Sequence, residues 1–318
     1  MQEDEIVVSE VHVDSDNIVR NENDPLLDLM PEALRSRLQV AQSRLHVKLD
    51  TDTKVVDPGC LTLDEDGDLE LSRGSQERAS APRSLSCHNV ANCWITVTSI
   101  VQVWKAALVM SDFLLHRGRE LLRGIGVVEL GSGVGLCGIV AAAFADYVFC
   151  TDVGEEVLHL CRRNLDQNEG FYEALDVRQC PTRVRCLDWT KGPPEMQTTE
   201  GAFAWSAEDL DDFHKAEIFL AADVVYDDRL TDCLFELLLK TVARGNQTVY
   251  IALEKRVNFT LEDLDVASPS HTHFMQWLQK LRELGWKVCV VDLSGVPQYF
   301  GSYSRDSYLE LWELTIKR

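Results

Sequence analysis

The 318-residue sequence predicts an α/β fold, a mostly parallel sheet covered by helices on both faces. Three observations carry this. From Gly124 onward, short apolar runs rich in β-branched residues alternate with helical patterns. The stretch from Val127 to Asp152 reads as strand, glycine turn, buried helix, strand and terminal acid, which is one Rossmann-like βαβ unit. The last two strand-like runs have no full helix between them, so the last strand is expected to lie antiparallel.

Before residue 92 no regular pattern lasts. Glu5 to Val13 alternates as a short strand would, Leu26 to Leu49 carries a weak helical stripe, and Arg73 to Ser86 has the Ser/Arg/Pro content of a linker. Asp64-Glu-Asp-Gly-Asp opens like a calcium loop, but its closing position is Ser75 rather than an acid. Residues 1–92 are therefore expected to be an acidic, partly disordered segment with short strand and helix pieces, and residues 93–318 a folded domain.

Within 93–318, Trp94 to Thr98 is strand-like and Trp104 to Leu115 is a helix with Trp104, Leu108, Phe113 and Leu115 at apolar positions. Gly124 and Gly126 break the chain before the strand Val127–Leu130, and Leu136 to Phe144 is apolar all round, as a buried helix is. Tyr147 to Thr151 is a strand, Glu155 to Asn168 a helix and Val184 to Leu187 a strand ending in Asp188-Trp189. Lys191 to Lys215 is polar and acidic and reads as a surface insertion, with Trp205 and Phe213 either a recognition lid or two anchors pinning a loop. Ile218 to Ala222 is a strand delivering Asp223-Val-Val-Tyr226. Leu230 to Val242 is a helix, Thr248 to Leu253 a strand, Phe274 to Leu284 amphipathic, and Lys287 to Val291 and Tyr308 to Ile316 are β-like.

Bulk composition excludes several classes. A formal charge of −21 argues against a general nucleic-acid binder, which shows a basic footprint, and fits a basic macromolecular partner. No apolar run approaches the roughly 18 residues that span a bilayer. The longest candidate, Gly138 to Phe149, is interrupted by Asp146, so no membrane association is expected. The acidic start, Met1 to Glu10, shows no secretory signal. Ten cysteines form no C-x-x-C pair and no metal-type grouping, which suits a reducing compartment; nucleus and cytoplasm are the expected locations.

Two ligands suit the glycine turn. Gly133-x-Gly135-x-x-Gly138 satisfies the dinucleotide pattern, with Asp152 near where a ribose-binding acid belongs, which leaves a nicotinamide-dependent oxidoreductase open. Counted from the end of the strand, however, the stretch is Glu129-x-Gly131-x-Gly133-x-Gly135. An acid there is awkward beside a pyrophosphate and natural beside a cationic ligand. S-adenosylmethionine carries an ammonium, a sulfonium and a ribose diol that Asp152 could hold.

Glu129-Leu-Gly-Ser-Gly-Val-Gly resembles motif I of the class I, seven-stranded methyltransferases, and Asp223-Val-Val-Tyr226 resembles the D-x-x-Y motif of the protein-lysine methyltransferases in the sixteenth methyltransferase-like family. Val103-Trp104, Leu187-Asp188-Trp189, Glu254-Lys-Arg and Leu309-Glu-Leu-Trp312 extend the likeness, which spans Trp104 to Tyr226 and continues towards the end of the chain. Cys150-Thr-Asp-Val-Gly154 and Asn258-Phe-Thr-Leu261 are similar to one member over longer stretches. Where that family has a glycine shortly before the tryptophan, this chain reads Thr98-Ser-Ile-Val-Gln-Val-Trp104.

The resemblance implies a seven-stranded sheet and methylation of a lysine in a non-histone protein, a basic nucleic-acid-associated one among those it suits. It further implies that Gly131, Ser132 and Gly133 lie against the methionine part of S-adenosylmethionine, with Trp104 closing that end. Asp152 would hold the ribose, Trp189 would pack beside adenine with Asp188 as an acceptor, and Ala222 would line the floor. Asp223 and Tyr226 would face the transferred methyl and the entering amine. Enzymes that methylate nucleobase amines carry two prolines where this chain has Val224-Val225, which argues against direct nucleic-acid substrates. A monomer with a protein substrate and no metal is expected, and a catalytically silent cofactor-binding adaptor is the non-enzymatic alternative. His271-x-His273 reads as a loop, and Glu254-Lys255-Arg256 either faces the crevice or is a solvated strand end.

Overall fold

A computed structural model describes residues 18–20, 40–48, 90–98, 103–197, 200–242, 246–256, 258–260, 265–301 and 303–316. The expected strand at Glu5 to Val13, the acidic tract at Asp64 and the linker at Arg73 to Ser86 lie outside these residues.

The seven-stranded sheet is built from β4 (Gly126–Leu130), β5 (Tyr147–Asp152), β6 (Thr182–Cys186), β7 (Ile218–Ala222), β8 (Thr248–Glu254), β11 (Trp286–Val290) and β12 (Leu309–Ile316). Their order across the sheet is β11-β12-β8-β7-β4-β5-β6. The β4, β5, β6, β7 and β8 pairings are parallel, and β12 runs antiparallel to both β8 and β11, as the missing helix before it predicts. Strand order reverses at β4, whose neighbours are β5 and β7. A crevice at the carboxyl ends of such strands is where open α/β sheets bind ligands.

The strands are apolar on both faces, so each divides its side chains between two cores. Val127, Val148, Cys150, Leu220, Tyr250 and Ala252 join one core; Val128, Leu130, Phe149, Phe219, Ile251 and Leu253 join the other. The first is closed by α1 (Lys105–Leu121), α2 (Leu136–Ala141) and α3 (Glu155–Asp166). The second is closed by α5 (Ala207–Lys215), α6 (Asp228–Thr241) and α7 (Pro269–Glu283).

Several elements differ from the sequence reading. Val40–Lys48, expected to end a helical stripe, is instead strand β2, flanked by β1 (Ile18–Arg20) and β3 (Val90–Thr98) in an antiparallel three-stranded sheet. Leu45, Cys93 and Ile95 are fully buried in the first core, so this sheet packs on the helical face rather than standing apart. The helix expected through Asn168 ends at Asp166, and a separate α4 (Glu169–Ala174) buries Phe171 and Tyr172. Within the polar insertion, Ser206 and Asp209 form a capping box that starts α5. A short hairpin, β9 (Asn258–Thr260) with β10 (Asp265–Ala267), precedes α7. His271 and His273 lie on α7, not in a loop, and each ring meets a carboxylate, Glu310 at 3.0 Å and Asp232 at 2.7 Å.

Candidate active site

The strand tips deliver the site. Glu129 is the penultimate residue of β4 and is buried, 3% exposed, on the first-core side. Its Oε2 accepts the Gly138 amide N–H at 2.9 Å. Burial pushes its carboxyl up to about 7, against the pull of thiol hydrogen bonds from Cys150 and Cys137 and of the Gly138 amide, with the Asp152 charge adding to the rise.

Gly131 follows with φ +69°, a conformation that side chains disfavour. A Cβ there would lie 2.9 Å from Val224 and 3.2 Å from the Trp189 ring, so the turn leaves a space that only a glycine keeps open. The Ser132 amide N–H donates to the Thr151 carbonyl at 2.9 Å, and Thr151 Oγ1 donates to the Glu129 carbonyl at 2.7 Å, binding the tips of β4 and β5 together. Asn164 on α3 donates to the Val134 carbonyl at 2.9 Å and fixes the far side of the turn.

Asp152, at the end of β5, accepts the Gly133 amide on Oδ2 and the Val153 amide on Oδ1, both at 2.7 Å. Burial raises its carboxyl above the usual range, and the two amides draw it back. Both oxygens are thus fixed in direction by backbone, leaving further lone pairs for a diol.

Asp188 caps a short 3-10 turn, Trp189–Lys191, accepting from the Thr190 amide at 3.0 Å and hydroxyl at 2.6 Å, with the Lys191 ammonium at 3.1 Å. Partial burial raises its carboxyl, but these partners outweigh that and hold it below the usual range. The side chain is thereby engaged with its own turn. Trp189 contributes the opposite feature: its indole Nε1 is buried and has no protein partner among the described residues. A buried donor without an acceptor is uncommon and marks a place where a ligand or water supplies one.

Asp223 stands just past β7 with φ +58°, one of two non-glycine residues with positive φ among those described. Its amide is held by the Ala252 carbonyl at 2.9 Å. Its Oδ2 accepts from Arg256 Nη2 at 3.1 Å, and the Arg256 guanidinium lies 5.1 Å from the centre of the Trp104 ring. Burial raises the Asp223 carboxyl, Arg256 and Lys105 lower it, and Glu254 raises it. Lys105, the first residue of α1, donates to Glu254 at the tip of β8 at 2.7 Å. Tyr226 is 52% exposed at the lip.

All eleven residues nominated from the sequence line one cleft: Trp104, Glu129, Gly131, Ser132, Gly133, Asp152, Asp188, Trp189, Ala222, Asp223 and Tyr226. Val103, Ala107, Val134, Leu136, Val153, Leu187, Val224 and Leu230 supply its apolar wall, and none of them was nominated as a site residue from the sequence. They carry no polar signature, and only the packing of the strand tips of β4, β5, β6 and β7 with the flanking helices brings them together.

The cleft fits S-adenosylmethionine on three counts. The glycine turn is a cradle that a Cβ would fill, the Trp189 donor lacks a partner among the described residues, and a buried carboxylate from β4 and a half-buried one from β5 flank the turn. A sheet in this order, with an acid on the first central strand, a glycine turn and a second acid at the next strand tip, has the fold of the class I, S-adenosylmethionine-dependent methyltransferases. The chain belongs to the lysine methyltransferase family, whose profile matches residues 95–281. Methyltransferase-like protein 22 of Mus musculus is 38% identical over 273 residues, covering 82% of this chain and 66% of that protein. Its Homo sapiens counterpart is 38% identical over 222 residues, covering 67% of this chain and 53% of that protein. Protein N-lysine methyltransferase METTL21A of Xenopus tropicalis is 28% identical over 181 residues, 57% of this chain and 71% of that one. The chain thus spans between about half and two thirds of the length of the first two relatives. For the glycine turn, family membership selects the sulfonium cofactor over a dinucleotide.

Proposed function

We propose that this chain transfers methyl from S-adenosylmethionine to the side-chain amine of a lysine in a non-histone protein, acting as a monomer in the nucleus or cytoplasm. The observation that carries the reading is Asp223, a buried carboxylate turned into the cleft by a left-handed backbone at the tip of β7, beside the exposed ring of Tyr226. A non-glycine residue held at φ > 0 is a cost of order 1–3 kcal/mol that is typically retained at functional positions.

The bound cofactor supplies an electrophilic methyl on a sulfonium. The chain supplies alignment and dryness, which account for much of the acceleration in such displacements. Asp152 would hold the ribose diol, Gly131, Ser132 and Gly133 the methionine part, Glu129 the charge near its ammonium, and Trp189 the adenine flank. Asp223 would orient the entering amine, and Tyr226 would shape its channel. The bound cofactor would supply the methyl to the lysine nitrogen that Asp223 orients, its carbon–sulfur bond breaking to release S-adenosylhomocysteine, and the amine proton would pass to solvent. The net charge of −21 supports a basic substrate protein, nucleic-acid-associated proteins included.

The test is tritiated-methyl incorporation into a cell lysate. Wild type is expected to label a protein band on lysine, and Asp223→Ala is expected to abolish labelling while S-adenosylhomocysteine still binds. Near-wild-type labelling by the variant would overturn the assignment of Asp223.

A further inference from the structure

We propose that Arg256 is a positioning residue that cancels the charge of Asp223, so that the site takes its substrate lysine as the neutral amine. This rests on the lysine methyltransferase reading above and deepens it.

A displacement on a methyl sulfonium needs the nitrogen lone pair, whereas a lysine side chain in water has a pKa of about 10.4 and arrives as the ammonium. A lone buried carboxylate would make matters worse, because an adjacent negative charge stabilises the ammonium and raises its pKa. The structure does not leave that carboxylate alone. Arg256 follows β8 by two residues, and its Nη2 reaches Asp223 Oδ2 at 3.1 Å. The guanidinium is bracketed on the other side by the Trp104 ring at 5.1 Å, and its Nε is buried with no partner among the described residues. An arginine is suited to this place, since its charge survives burial where a lysine's would titrate.

The surrounding charges close the account. Lys105 on α1 and Glu254 on β8 form a second pair at 2.7 Å next to Asp223, so two cations balance two anions at this end of the cleft. Towards the lip, Tyr226 faces Asp152, Asp227, Asp223 and Arg256. Asp152 accepts two backbone amides and keeps lone pairs for the ribose diol, and Asp227 accepts from the Leu230 amide as the cap of α6. Asp223 can therefore accept a hydrogen bond from an N–H of the neutral amine while its own charge is compensated by Arg256 and does not hold the amine protonated.

The experiment reads the pH dependence of the enzyme–substrate complex. Single-turnover rates of tritiated-methyl transfer into the labelled lysate band are measured from pH 6 to 10, with enzyme raised until the rate no longer depends on it. The rate should rise with pH, and in Arg256→Gln the midpoint should move up by about one pH unit or more. Arg256→Lys, which keeps the charge while protonated, should stay near the wild-type midpoint at the acid end. Asp223→Asn combined with Arg256→Gln, neutral again, should return the midpoint towards wild type. A second readout needs no turnover: in carboxyl-labelled, cofactor-free protein, carbon NMR should show Asp223 titrating at higher pH in Arg256→Gln than in wild type. An unmoved rate midpoint in a folded, cofactor-binding Arg256→Gln, or an unmoved Asp223 titration, would overturn the inference while leaving the methyltransferase reading intact. Absence of any labelled lysine with wild type would instead overturn that reading, and the inference with it.

Discussion

Glu129 Oε2 accepts the amide of Gly138 at 2.9 Å, so an acid on β4 serves as the missing cap of α2, whose own N-cap is a glycine. The contact is close enough that a Cβ at Gly138 would fall 2.8 Å from Glu129 and 2.2 Å from the Cys150 sulfur. One side chain thus joins the turn, the helix behind it and the neighbouring strand.

That carboxyl sits at about 7, raised by burial from a reference of 4.5, which gives two linked expectations. Its folded-state value exceeds its unfolded one, so its contribution to stability is fully present below pH 4.5 and is lost as pH rises through 7, by roughly 3 kcal/mol in all. A ligand ammonium favours the ionised form. The affinity for S-adenosylhomocysteine should therefore fall by up to about tenfold per pH unit below pH 7, with a proton released on binding near neutrality. Calorimetry in two buffers of different ionisation enthalpy measures the proton count, and Glu129→Gln should remove it.

Asp112, fully buried on α1, accepts from the amides of Tyr299 and Phe300, the Tyr303 hydroxyl and Arg305 Nη2, and so pins the loop before β12 to the helix. Asp112→Ala leaves a largely buried guanidinium unpaired and should cost about 3–5 kcal/mol in urea unfolding. Asp112→Asn, which keeps an acceptor, should cost less.

Trp205 stacks on Phe149 with ring centres 5.4 Å apart, donates to the Cys186 carbonyl at 2.7 Å and meets Phe213 edge-on. Phe213 is 1% exposed. These are anchors rather than a lid. Phe213→Ala should lower stability by about 3–5 kcal/mol and leave the cofactor affinity of the folded fraction within a few-fold of wild type. A variant of normal stability with impaired labelling would restore the lid.

Gly131→Ala combines a side chain at φ +69° with the contacts at Val224 and Trp189. We expect a loss of about 1–2 kcal/mol from the backbone alone, a fall of several degrees in melting temperature and at least tenfold weaker binding of S-adenosylhomocysteine. Thermal shift with and without the ligand checks both.

What could be read without coordinates was whatever the chain repeats locally. Val127–Leu130, Tyr147–Asp152 and Ile218–Ala222 are apolar on both faces and declare themselves as central strands, and the acids and glycines at their tips declare a cleft. Val40–Lys48 did not, because its alternation, with Leu45 inward, acquires meaning only once β3 lies beside it. The helix at Ala207–Lys215 was hidden because its start is encoded by a polar capping box in a stretch whose composition says loop. Arg256 stayed ambiguous for a similar reason. Which way a strand end points depends on the β7–β8 register, and that register sets Ala222 opposite Ala252 and brings Asp223 within reach.

The position of β12 has a consequence for how the sheet is completed on folding. It lies between β8 and β11, yet β11 is translated first. Until β12 docks, the Trp286–Val290 strand has no partner among the described strands, and β8 presents an unpaired edge. A folding chain in which β12 has not docked therefore exposes the β8 edge and a wholly unpaired strand, and pairing with another such chain competes with completion of its own sheet.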